Sequence, residues 1–352
     1  MPQGTSDCFR YKSLQGVGAI RLLALQPSPE QQEPLSGALV HTTLDECLDD
    51  LIGGYTALSY VWGLPDKTHS IHLGQDEVQI TASLDASLRA LRDRARVHLI
   101  WADALCINQD DIPERNVQVS MMGQIYWTAR NTVIYLGEET EATAIILTAA
   151  QRRHTLDEQA VGTVSRLHDE VAEDYIGFNF QQDEQDEQDE KVGGPDSPVS
   201  FVESSKATDA FDAKHELSKV LRQAAQMDLL RRPWFHRVWI YQELVLSRQP
   251  WVQCGQQRVW WSDLCNLLLP VIGDSFGDSF VKDMDDVRCS FHSSGQGKLG
   301  MRGWGLRDLW EGNRPLWEIL HSRRGSQATD PRDMVFGFMS LHSDRDRVMR
   351  RI

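Results

Sequence analysis

YTALSYVWG (Tyr55–Gly63) and LIWADALCINQDDIPERNVQVSMMGQIYWTARNTVIYLG (Leu99–Gly137) decide how this chain folds. Two short apolar runs, Ala57–Trp62 and Val97–Ala102, each break off into polar residues. Such runs read as strands buried in an α/β sheet. The polar residues then fall at the strand ends, where open sheets bind ligands. Between the runs, Ser70–Ile80 reads as a hairpin around a glycine turn. Leu84, Leu88, Leu91 and Ala95 repeat at helical spacing behind a Ser83 N-cap. Asp111 caps the next predicted helix, with Pro113 in its first turn and Glu114 at the capping-box position. Val117, Met121 and Ile125 form one apolar row of that helix, widened by Met122 and Tyr126. Thr132–Leu136 is the strand that follows. Strands alternating with helices predict a mainly parallel sheet with helices on its faces.

Upstream, Ala19–Leu25 and Leu39–Thr43 read as strands, and Leu44–Leu51 is ambiguous. Downstream, Glu141–Arg153 reads as a helix. An acidic, low-complexity insertion then occupies about residues 139–212; its low hydrophobicity and high charge predict disorder or loose order around Gln181–Ser205. Helical spacing resumes at Ala213–Leu230. Pro233 opens a predicted continuous helix, PWFHRVWIYQELVLSR. Trp251–Trp261 reads as a hairpin turning at Gly255–Gln257. The rest is predicted mostly helical, with one segment at Leu316–Arg324 and another capped by Thr329 or Asp330. The expected organisation is an N-terminal extension (1–54) packing on the core, a core (55–262) carrying the insertion, and a helical C-terminal part (263–352).

With 352 residues and 41% hydrophobic composition, the chain can bury a sizeable core. The net charge is −15, and the run QQDEQDEQDE (Gln181–Glu190) contributes six of those charges. An acidic chain without a basic stripe argues against nucleic-acid binding. The six cysteines (Cys8, Cys47, Cys106, Cys254, Cys265, Cys289) show neither CxxC pairing nor zinc-ligand spacing, so free thiols are expected. No apolar run reaches membrane-spanning length, and MPQGTSDCFRYK lacks a signal-peptide core. A cytoplasmic protein with no membrane span is the expectation.

ALSYVWG, WADALCINQDD, ERNVQVSMMGQIYWTA and VIYLG, in this order, resemble the fungal heterokaryon-incompatibility (HET) domain. RRPWFHRVWIYQEL and ATDPRDMVFGFMSL resemble that family's later motifs, so the likeness spans roughly Tyr55–Leu341. It implies an effector of incompatibility and cell death. RVWIYQEL also resembles the segment of Toll/interleukin-receptor (TIR) domains in which a helix-borne glutamate cleaves NAD. Trp239 and Glu243 match that motif's tryptophan and glutamate; Arg237 replaces its serine, and Tyr241 and Gln242 depart from its finer pattern. The strand–helix order is similar to the flavodoxin-like TIR sheet. This resemblance implies a TIR-like α/β fold with Glu243 catalytic, and a requirement for self-association or an upstream receptor.

Read by themselves, the residues leave alternatives. Glu243, between Trp239 and Leu246 on a helix, is placed for acid–base or ion-stabilising work; it can equally pair with Arg237 or Arg248, or face solvent. Asp103 directly follows a strand, where it binds ribose hydroxyls or caps a turn. Cys106 reads as a nucleophile or as a small buried thiol. Asn108 contacts ligand or orders its loop. Arg115 meets a pyrophosphate or forms a surface ion pair. Ser59, Tyr60 and Trp62 approach the same edge. Trp62, Trp101, Trp234 and Trp239 offer stacking faces, or pack the core. The chain holds no GxxxxGK[ST] phosphate loop, and NAD is expected as a substrate and not as a bound cofactor. The rival expectation is a non-enzymatic, oligomerising signalling module built on the same motifs.

Overall fold

The computed structural model describes residues 9–49, 54–153, 202–272, 279–293, 326–328 and 330–338. Nine strands form one sheet: β1 (Ala19–Leu25), β2 (Leu35–Thr43), β3 (Thr56–Tyr60), β4 (His69–Leu73), β5 (Asp76–Ile80), β6 (His98–Trp101), β7 (Asn131–Tyr135), β8 (Pro250–Cys254) and β9 (Gln257–Trp260). Their spatial order is β5-β4-β2-β1-β6-β3-β7-β8-β9. The central run β6-β3-β7-β8 is parallel throughout. Among the flanking pairs β2–β4 is also parallel, while β1–β2, β1–β6, β4–β5 and β8–β9 are antiparallel. The α/β class thus holds, with a mixed sheet around a parallel centre. β1 and β2 hydrogen-bond into this sheet between β4 and β6, so residues 19–43 supply inner strands.

In chain order the central strands sit second, first, third, fourth, the pattern of a doubly wound sheet. The chain leaves β3 in one direction to reach β6 and returns past it to reach β7. Right-handed crossovers in opposite directions put their helices on opposite faces. In sheets of this kind the carboxyl ends of the strands where the order reverses, here those of β3 and β6, are the usual place for a ligand. One apolar cluster packs β1, β3 and β6 with helices α2 (Ala82–Leu91) and α5 (Met122–Thr128). A second joins β7 and β8 to later helices, and Trp239 touches both clusters.

Helix α1 (Leu44–Asp49) resolves the ambiguous segment after β2. Thr81, not Ser83, caps α2, its hydroxyl accepting from Leu84 N–H at 3.3 Å; the Ser83 hydroxyl donates instead to the Val61 carbonyl. A single turn, α3 (Asp103–Cys106), follows β6. Asp111 caps α4 (Ile112–Ser120) as expected, accepting from Glu114 N–H at 3.0 Å. The predicted continuous helix breaks at Met121, and Val117 is 56% exposed. The reason is depth: in α4 Gln118 is the buried residue, whereas in α5 every residue but Gln124 is buried.

Residues 141–153 form α6, and Val202–Met227 form α7. The expected helix from Pro233 also breaks. Pro233–His236 is a 3-10 turn, Arg237 is extended (φ −76°, ψ 145°), and α8 covers only Ile240–Val245. Arg237 cannot stay helical because its backbone bridges to Gln327. The β8–β9 hairpin turns at Gly255, whose φ of +52° suits glycine, and an added Cβ there would meet the Glu139 side chain at 3.1 Å. Helices α9 (Trp261–Ile272) and α10 (Ser279–Ser293) and a short helix Asp333–Phe336 follow. The acidic run, the Leu316–Arg324 segment and Thr329 lie outside the described residues; Asp330 holds Arg332 at 2.6 Å.

Candidate functional site

β3 is buried along its length, and its alternation brings the Ser59 hydroxyl inward near its carboxyl end. There Ser59 Oγ–H donates to Glu243 Oε2 and accepts Trp234 Nε1–H at 2.7 Å. Glu243, on α8, has a side chain only 2% exposed. Arg237 grips it with both guanidinium nitrogens, Nη1 to Oε2 and Nη2 to Oε1, each at 3.3 Å. Both carboxylate oxygens are thus engaged, as a buried charge requires. The Arg237 side chain remains 19% exposed.

Asp103 stands at the carboxyl end of β6, and Trp62 Nε1–H, from the segment after β3, donates to its Oδ2 at 2.9 Å. Asp103 retains some exposure, yet its carboxyl is enclosed enough that desolvation pushes it up to about 6. Arg237 opposes that rise, Glu243 adds to it, and the Trp62 N–H opposes it. Burial disfavours the charge of Arg237, but Glu243 and Asp103 outweigh that and hold its pKa above the usual value. Burial, then the Asp103 charge, raises Tyr60 well above 10; its buried hydroxyl has no well-formed hydrogen bond among the described residues. Arg237 thus pairs with Glu243, and its charge also acts on Asp103, near the strand ends where the sheet order reverses.

A sequence profile described as "Heterokaryon incompatibility protein (HET)" matches residues 55–243, more than half of the chain, and ends on Glu243. The chain belongs to the heterokaryon-incompatibility (HET) family. It is 29% identical over 332 residues to "Heterokaryon incompatibility protein 6, OR allele" of Neurospora crassa, an alignment covering 84% of this chain and 44% of that protein. The chain therefore spans under half the length of this relative. No solved structure matches it significantly.

In this HET domain the remaining candidates separate by depth. Trp101 and Trp234 are completely buried and present no face to a ligand; Trp234 serves through its N–H to Ser59. Trp62 is exposed at the rim and Trp239 is half-buried. Cys106 is buried, its sulfur held near Ala102 N–H and the Ile100 carbonyl, and burial pushes its thiol up to about 12. That environment suppresses the thiolate a nucleophile needs. Asn108 orders its loop: its N–H donates to Glu114 at 2.8 Å and its Oδ1 accepts Asp110 N–H at 3.3 Å. Arg115 is exposed on α4, and its guanidinium donates to the Gln109 carbonyl at 3.4 Å.

Glu114 does not close the predicted capping box, because the Asp111 N–H goes to the Asn108 carbonyl and the Glu114 side chain takes the Asn108 N–H and Arg21 instead. Its carboxylate takes Arg21 in two bonds of 2.6 and 2.8 Å, and Arg21 Nη1 also donates to the Cys106 carbonyl at 3.2 Å. This buried clamp fixes the loop carrying Asp103 and Asn108. The sequence reading missed it, although an arginine inside AIRLLAL was the available signal, since a strand buried on both faces must pair it. Gln327 was missed as well, and no local pattern marks it. Among the described residues there is no cluster of three or more His, Cys, Asp or Glu side chains able to hold a metal, and no helix is long and apolar enough to cross a membrane.

Proposed function

We propose that this HET domain is a cytoplasmic effector of fungal incompatibility and innate immunity that triggers cell death by hydrolysing NAD to nicotinamide and ADP-ribose. The observation that carries the reading is the enclosed Glu243 carboxylate beneath the carboxyl ends of β3 and β6, with a second carboxylate, Asp103, at the rim. The likeness of RVWIYQEL to the TIR motif supports it, as does the incompatibility protein to which the chain is similar. In the reaction the bond between the nicotinamide nitrogen and the ribose carbon breaks, and its electron pair leaves with nicotinamide. The ribose becomes oxocarbenium-like, and a carboxylate beside that carbon stabilises the charge. Water adds to the carbon and its proton passes to Asp103. A diphosphate engages a guanidinium bidentately, so the substrate's own pyrophosphate draws Arg237 off Glu243 and uncovers the carboxylate. Trp62 and Trp239 supply aromatic faces at the rim. Self-association, or an upstream receptor, completes or triggers the site.

A second reading is a non-enzymatic oligomerising module that signals through partners. The saturation of Glu243 by Ser59 and Arg237 favours it, since a fully satisfied buried pair is also a structural device. Purified protein at high concentration, incubated with NAD beside Glu243→Ala and followed for nicotinamide by chromatography, separates the two. Release that vanishes in the variant supports hydrolysis at this site. Release that persists in Glu243→Ala moves the site elsewhere. No release, even when the protein is clustered by a fused oligomerising tag, favours the module.

A further inference from the structure

The family match ends at Glu243, yet the backbone that presents Arg237 to Glu243 is held from beyond it. Gln327 N–H donates to the His236 carbonyl at 2.6 Å, and Val238 N–H donates to the Gln327 carbonyl at 3.1 Å. These two bonds flank Arg237 and make the isolated bridge that keeps it extended. The same segment is pinned further along. Gln242 Nε2 donates to the Phe336 carbonyl at 2.9 Å, and Phe338, fully buried, packs edge-on against Tyr241 at 5.7 Å. Gly337 lies so close to Val238 that an added Cβ would meet its side chain at 3.0 Å.

The bridge has a geometric consequence for the pair. On one continuous helix, positions 237 and 243 would point about 120° apart, because residues advance about 100° each. Pairing on a helix needs spacings of three or four. Arg237 meets Glu243 across six positions only because the chain is extended at Arg237 before α8 begins.

We propose that Gln327 is a positioning residue for the Arg237–Glu243 pair and acts through its peptide group, so that the functional unit extends past the profile-matched residues 55–243. The proposal rests on the NAD reading for one of its two readouts. The Gln327 side chain is exposed, so its identity is dispensable. Proline at this position removes the N–H that bonds His236, whereas alanine keeps it.

The test measures nicotinamide release and hydrogen exchange across residues 237–243 in wild type, Gln327→Ala and Gln327→Pro. Gly337→Val, which pushes the segment off Val238, serves should the proline variant not fold. The expected result is wild-type behaviour in Gln327→Ala. In Gln327→Pro or Gly337→Val the expectation is at least a tenfold loss of kcat, with faster exchange at 237–243 and a cooperative melt retained. Wild-type turnover in the proline variant overturns the proposal. Raised turnover also overturns it, by showing that the segment restrains the site. Should the wild-type protein release no nicotinamide, the NAD reading falls by itself and exchange decides: faster exchange in Gln327→Pro but not Gln327→Ala supports positioning, and unchanged exchange overturns it.

Discussion

Arg237 holds Glu243 through two matched bonds of 3.3 Å, one guanidinium nitrogen to each carboxylate oxygen, in a place where the carboxylate has almost no contact with solvent. Removing one member of such a pair leaves a charge without its partner, while removing both leaves none. Glu243→Ala is therefore expected to cost about 3 kcal/mol of stability, and Arg237→Met with Glu243→Met distinctly less. Urea melts of the two variants check this. A double variant as unstable as Glu243→Ala would show that the pair does not act as a unit.

Asp103 sets a pH dependence. Its folded pKa, about 6, lies above the ordinary 3.8 because of burial. The folded state then binds that proton more tightly than the unfolded chain. Its stabilising effect is complete below pH 3.8 and is lost as pH rises through about 6. Asp103→Asn, which keeps an acceptor for Trp62, should gain on wild type between pH 4 and pH 7. Nicotinamide release by wild type should rise through about pH 6 as the carboxyl ionises, and the variant should lack that limb.

Arg21 and Glu114 give the opposite sign. Burial raises the Glu114 carboxyl, but the Arg21 hydrogen bonds and the Asn108 N–H more than offset this and hold it below its ordinary 4.5. The stability this contributes is present above pH 4.5 and is lost as pH falls through the lowered value. Glu114→Gln strands the completely buried Arg21 and should cost about 3 kcal/mol at pH 7. That deficit should shrink on acidification. A constant deficit from pH 7 to pH 3 would mean that the carboxylate charge is not what Arg21 needs.

The parts of the fold set by local pattern were legible. AIRLLAL is β1 over its full length, the two hairpins turn at Gly74 and Gly255, and β3, β6 and β7 lie where the apolar runs placed them. Ser59 and Arg237 meet Glu243 through hydrogen bonds, and Trp62 bonds Asp103 at the end of the neighbouring strand. Illegible were the features imposed from far along the chain. Arg21 finds Glu114 across 93 positions. Gln327 breaks the apolar row PWFHRVWIYQEL that periodicity read as one helix. Trp234 and Cys106 share residue types with working sites, and only depth shows that they belong to the core.

Cys106 tests that distinction of depth. A thiol pushed up to about 12 by burial is almost wholly protonated near neutrality, and alkylation requires the thiolate. Iodoacetamide at pH 8 should leave Cys106 unmodified in the folded protein while reacting slowly with the exposed Cys289, whose thiol burial and Asp285 also raise, and should modify Cys106 once urea unfolds the chain. Peptide mass mapping reads both. Cys106→Ala should keep nicotinamide release and lose about 1 kcal/mol of stability, the ordinary cost of a small change in a packed core. Rapid labelling of Cys106 in the folded state, together with lost release in Cys106→Ala, would return the thiol to the site as a nucleophile.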